Sequence, residues 1–99
     1  MAPLLCATKA QCDTYWQRAQ AWIAANSSWK IQIATDSIIQ TYGPGGAKVD
    51  LAYLVTRLPN EDGSARIAIK PDCDNVFRCY PTKTDAIVAF KRFVRGAQS

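Results

Sequence analysis

From Thr8 to about Ala25 the apolar positions Cys12, Tyr15, Trp16, Ala19, Trp22 and Ile23 recur at intervals of three and four, which predicts a helix with one buried face. Thr8-Lys-Ala-Gln11 fits a capping box, in which the Thr8 hydroxyl accepts from the Gln11 amide while the glutamine side chain reaches back. Asn26-Ser27-Ser28 ends the helix. The period then changes to two. Trp29, Ile31 and Ile33 alternate with Lys30, Gln32 and Ala34, and the first strand is expected over Trp29–Tyr42. Ile38 and Ile39 are adjacent, so the alternation slips, which predicts a β-bulge near Asp36-Ser37 or burial of both faces at the strand's end.

Gly43-Pro-Gly-Gly46 is a turn leading to a second strand over Val49–Leu58, both of whose faces are fairly apolar. Pro59-Asn-Glu-Asp-Gly63 carries the Asp-Gly pair of a hairpin, and Ala65, Ile67 and Ile69 alternate with Arg66, Ala68 and Lys70 in a third strand closed by Pro71. A second helix is expected from about Thr82 to Arg95: Thr82 caps it, Asp85 follows three residues on, and Ala86, Ile87, Phe90, Phe93 and Val94 form its buried stripe. Gly96 ends it. The expected fold is therefore α+β, in the order α-β-β-β-α: a three-stranded antiparallel sheet with two helices packed on one face. Ninety-nine residues make one domain, 1–99, with residues 1–7 as an N-terminal arm and 96–99 as a C-terminal tail. A chain of this size buries roughly 60 to 68% of its unfolded surface, so a covalent staple would help.

Cysteine usage supplies one. Cys6 and Cys12, and Cys73 and Cys79, form two pairs, each with five intervening residues, and each pair stands at or before the start of a helix. An even count in a short chain favours disulfides and an oxidising compartment. Reduced structural thiols and a four-cysteine zinc site are the competing readings, although zinc ribbons space their paired cysteines more closely. Local pairs suit the spacing better than crossed bridges such as Cys6 to Cys79. Disulfides imply an exported protein, periplasmic or envelope-associated, with a signal peptide expected upstream of Met1.

If successive elements run antiparallel, the first helix starts at the end of the sheet where the third strand finishes and the second helix starts. All four cysteines are then expected at one end, together with both helix N-termini, the glycine turn and Lys9, Lys48, Arg78 and Lys83. That combination is a candidate site for an anion or an anionic partner. The sheet face left bare by the helices is a second candidate, a basic platform of Lys30, Gln32, Thr56, Arg66 and Lys70. The net charge of +4 permits an acidic protein, an acidic lipid surface or a nucleic acid.

In order of elements the chain resembles the double-stranded RNA-binding domain, also helix, three strands, helix. Within Thr82-Lys83-Thr84-Asp85-Ala86, Lys83 and Ala86 match in kind the basic start of that family's second helix; the family's paired lysines are missing here and four cysteines are added. The resemblance implies a cytoplasmic nucleic-acid-binding domain with reduced thiols as the alternative function.

Enzymatic readings find little to stand on. The chain has no histidine, which removes Ser-His, Cys-His and histidine-metal sites. Gly43–Lys48 lacks the glycine spacing, the hydroxyl residue and the following helix of a phosphate loop, and Asp72, Asp74 and Asn75 lack the spacing of a calcium loop. Neither a cofactor nor a metal is expected, and no apolar run is long enough to span a membrane. The favoured expectation is a small exported, disulfide-stabilised binding or interaction module without catalysis.

Overall fold

The structure, a computed structural model, describes residues 3–96. The elements run β1 (Leu4–Cys6), α1 (Lys9–Asn26), β2 (Ile31–Ala34), β3 (Ile38–Thr41), β4 (Ala52–Pro59), β5 (Ala65–Asp72) and α2 (Lys83–Val94). The class is α+β, but the sheet is five-stranded, in the antiparallel order β1-β5-β4-β3-β2. Two differences from the expected α-β-β-β-α order account for this. The N-terminal arm contributes an edge strand, Leu4–Cys6, paired with Ala65–Ile67. Residues 1–2 of that arm and 97–99 of the tail lie outside the described residues.

The second difference lies within Trp29–Tyr42, which is a hairpin and not one strand. Thr35 turns the chain: its Oγ1 accepts from the amides of Ser37 and Ile38, at 3.2 and 3.1 Å, and its own amide donates to the Ile38 carbonyl at 2.8 Å. The slip in alternation at Ile38-Ile39 thus marks a reversal made by a threonine side chain, a weaker sequence signal than glycine or proline. An irregularity does occur, but between Ile31 and Ile33. It puts Ile33 opposite Gln40 and Ala34 opposite buried Ile39, so Ile33 joins the bare face and Ala34 the core side, the reverse of the simple alternation.

This extra reversal changes the polarity of everything after it. With four strands between the helices instead of three, β5 begins where α1 begins and ends at the far end of the sheet, about 23 Å away. The two helix N-termini therefore sit at opposite ends, and so do the two cysteine pairs. The expectation that all four cysteines share one end is overturned. The helix, three strands, helix order of the double-stranded RNA-binding domain is likewise not the order of this chain.

Each helix is started as its sequence requires. Thr8 Oγ1 accepts from the Gln11 amide at 3.1 Å, and Gln11 Oε1 accepts from the Ala7 amide at 2.7 Å, one residue further back than a standard capping box. Thr82 Oγ1 accepts from the Asp85 amide at 3.1 Å. The helices pack against each other, and their buried residues join those of one sheet face in a single cluster. Trp22 sits at its centre, edge-on to Tyr53 at 5.4 Å and to Phe90 at 5.5 Å between ring centroids. Cys12, Trp16, Ala19 and Ile23 of α1 and Ala86 and Val94 of α2 complete the helical side, facing Leu4, Ile39, Val55 and Ile67 of the sheet. Phe93, expected in the α2 stripe, is instead exposed.

Candidate functional site

The four cysteines form two local disulfides, Cys6–Cys12 and Cys73–Cys79. The first is buried and ties β1 to the first turn of α1, with the Cys12 sulfur 3.8 Å from the Gly63 carbonyl oxygen. The second closes the loop that follows β5. Five residues between bridged cysteines are too few to fold back over their own tip, so whatever stands at the middle of the loop faces outward. Here that is Val76 and Phe77, 94 and 91% exposed. Scattered exposed aliphatics are ordinary, but two adjacent large side chains held this far out are not.

The base of this loop is firmly built. Asn75 Oδ1 accepts from the amides of Phe77 and Arg78, at 2.9 and 3.1 Å, which shapes the tip. The Asn75 side-chain amide donates to the Ala47 carbonyl at 2.9 Å, and Asp74 accepts from the Ala47 amide at 3.0 Å, so one residue of the glycine turn is gripped on both sides. Ala47 has a φ of +57°, an uncommon conformation for a residue with a side chain, and these two bonds hold it there. At the exit the Tyr80 amide donates to the Val49 carbonyl at 2.8 Å. Asp74 and Asn75 therefore serve as a brace between two loops, and no group of three metal-ligating side chains occurs among the described residues.

The glycine turn is in turn fixed on Trp29. A Cβ at Gly43 would lie 2.5 Å from the Trp29 ring, so the ring and the turn can approach only because residue 43 is glycine. Lys48 lies over the same ring at 5.3 Å from its centroid.

Of the expected anion-binding residues, Lys48, Arg78 and Lys83 do lie at the end of the molecule that carries the second disulfide. Lys9 does not. It sits beside Gly63 at the opposite end and pairs with Asp13 at 3.0 Å. Lys83 is engaged with Asp72 at 3.2 Å, and that ammonium together with the Cys73 amide holds the Asp72 carboxyl below the usual carboxylate range. The polarity reversal described above is what separates Lys9 from the other three.

The second candidate set is partly assembled. Thr56, Arg66 and Lys70 share the bare sheet face with Leu5, Leu54, Leu58 and Ile33, as the register Leu5↔Arg66↔Leu58 and Lys70↔Leu54↔Gln40↔Ile33 requires. Lys30 precedes β2 and Gln32 occupies its irregular step, both at the margin of that face.

On the other side, a groove of about 680 Å³ runs between α1 and the β2–β3 turn, lined among others by Asp13, Gln17, Gln20, Asp36 and Arg57. Its fixed elements are structural. The Trp16 indole donates to the Thr35 carbonyl at 2.8 Å, and Arg57, its side chain only 14% exposed, reaches Asp13 at 2.8 Å. The Arg57 guanidinium and, after it, Lys9 keep the Asp13 carboxyl below its ordinary value.

The residues missed by pattern reading are Val76, which carries no signal of its own, and Phe77, which like Tyr42 and Tyr80 reads equally as a packing residue or a contact. The signal available was their place midway between two cysteines of a short clasp. No protein family, curated protein or solved structure matches this chain. No helix among the described residues is long and apolar enough to cross a membrane.

Proposed function

We propose that this chain is an exported, disulfide-stabilised binding module without catalytic activity, and that it makes its contact through the Val76-Phe77 tip of the Cys73–Cys79 loop. The observation that carries the reading is the near-complete exposure of two adjacent large apolar side chains on a loop closed by a disulfide and braced by Asp74 and Asn75. Leaving them in water forgoes roughly 1.5–3 kcal/mol of burial for each side chain, a cost recovered when a partner covers them. Clasping the loop lowers the entropy lost on contact, because the tip is ordered before the partner arrives.

Pairing of all four cysteines supports an oxidising compartment. It weighs against the alternative of a cytoplasmic nucleic-acid-binding domain with reduced thiols. The dispersal of Lys9, Lys30, Arg66 and Arg78 over both ends and the bare face also weighs against it, since a nucleic-acid groove needs its cations in a track.

Site-specific photo-crosslinking in the cell envelope of the native host tests this reading. A benzophenone side chain at position 77 is expected to give a discrete adduct, to protein or to lipid, and the same group at exposed Val88 on α2 is expected to give none. Equal labelling from both positions would remove the loop as the contact site.

A further inference from the structure

We infer that the Cys73–Cys79 loop docks on a lipid bilayer with anionic headgroups, its tip entering the interfacial region. The inference rests on the loop being the contact site and adds the nature of the partner. Three features of the loop argue for lipid over a protein pocket. Side chains more than nine-tenths exposed stand on a convex tip, and a fluid interface conforms to a convex tip where a protein would have to present a matched hollow. Tyr80, at the loop's exit and 68% exposed, supplies an aromatic ring with a polar edge immediately behind the aliphatic and aromatic tip, the order of groups found across a membrane interface.

The third feature is electrostatic. Asp72 is paired with Lys83, and the charge that Asp74 keeps while accepting from the Ala47 amide at the base of the loop is set against Lys48 at the same end. Arg78, beside the tip, has no carboxylate partner among the described residues, and it is placed to meet a headgroup phosphate as Phe77 enters. Two side chains and one cation make a shallow, reversible anchor, with a partition constant at or below that of a single acyl chain, on the order of 10⁴ M⁻¹.

The test is co-sedimentation of the oxidised protein with vesicles of phosphatidylcholine alone and of phosphatidylcholine with phosphatidylglycerol, over ~0.1 to 10 mM lipid, a range that reaches half-binding for any constant down to about 10² M⁻¹. The wild type is expected to sediment with the anionic vesicles. Phe77→Ser is expected to weaken this by about tenfold or more, and Arg78→Gln by about fivefold on anionic vesicles only. Both positions are exposed, so unchanged thermal unfolding of the variants shows that the fold is intact.

Failure of the wild type to sediment overturns the lipid assignment. So does sedimentation that Phe77→Ser leaves unchanged, since the attraction would then come from general positive charge. A protein adduct from position 77 without vesicle binding also overturns it, while leaving the loop as a contact site. Equal crosslinking from positions 77 and 88 instead removes the underlying reading.

Discussion

Two loops with the same cysteine spacing both face outward in this molecule, and they differ in what they display. Cys6–Cys12 is itself buried, with β1 against β5 and Leu4 in the core, and the exposed residues between its cysteines, Ala7-Thr-Lys-Ala-Gln11, are small or polar. Cys73–Cys79 is partly buried at the edge of the core, and its loop displays two large apolar side chains, Val76 and Phe77, in solvent. Spacing alone sets only the size of the ring. Secondary structure decides how deep the bridge sits: the first has a strand at one cysteine and a helix at the other, both packed in the core, whereas the second is irregular throughout and is stiffened by Asn75.

The contrast breaks most visibly on removing each bridge. In the chain-entropy account both short rings contribute ~2 kcal/mol. Cys6→Ala with Cys12→Ala should cost about 3 to 4 kcal/mol, because it also removes two packed sulfurs and loosens β1. Cys73→Ala with Cys79→Ala should cost about 2 kcal/mol or less, since part of that loop is fixed by hydrogen bonds that survive. Urea unfolding of the two double variants measures the difference, and equal losses would mean that burial of the first bridge adds nothing.

Acid sharpens the comparison at a smaller scale. Each bridge has a carboxylate beside it that is held below its ordinary value, Asp13 by Arg57 and Lys9, Asp72 by Lys83 and the Cys73 amide. A depressed carboxyl binds fewer protons folded than unfolded, so its contribution is present above about pH 4 and is lost as pH falls through the lower folded value. The Arg57 side chain is well sheltered and that of Lys83 about half exposed. Thermal unfolding between pH 5 and 2 should therefore show a shallower acid slope in Asp13→Asn than in the wild type, and a weaker flattening in Asp72→Asn. An identical slope in Asp13→Asn would discard the Arg57 pair as a source of acid sensitivity.

The smallest effect belongs to the exposed tip itself. Val76→Ser with Phe77→Ser should leave unfolding stability within about 0.5 kcal/mol of wild type, as surface changes do. A loss above 1 kcal/mol would show that the pair packs on the protein in solution.

What the chain revealed in advance follows the range of the interactions concerned. The caps at Thr8 and Thr82, the buried stripe of α1, the Asp-Gly hairpin and the nearest-neighbour disulfides all depend on residues a few positions apart, and these were legible. β1 was hidden because three residues are too short to show a period and their partner, Ala65–Ile67, lies some sixty positions on. The β2–β3 turn was hidden because Thr35-Asp36-Ser37 offers no glycine or proline. That one unread reversal then carried Lys9 and the first cysteine pair to the opposite end of the proposed site. The bare face was half legible: Thr56, Arg66 and Lys70 fall on it, but the slip at Gln32 moved Ile33 there and Ala34 away. Phe77 stayed hidden because nothing in hydropathy separates a residue that is sheltered from one that is displayed.

Four thiols can be oxidised into three sets of bridges, and this chain uses the set in which every sulfur meets the partner six positions away. Correct oxidation thus demands no prior sheet. A stretch holding only Cys6 through Cys12 has no wrong partner available, so for a polypeptide threaded into an oxidising compartment from its N-terminus, the order of emergence itself proofreads the crosslinks.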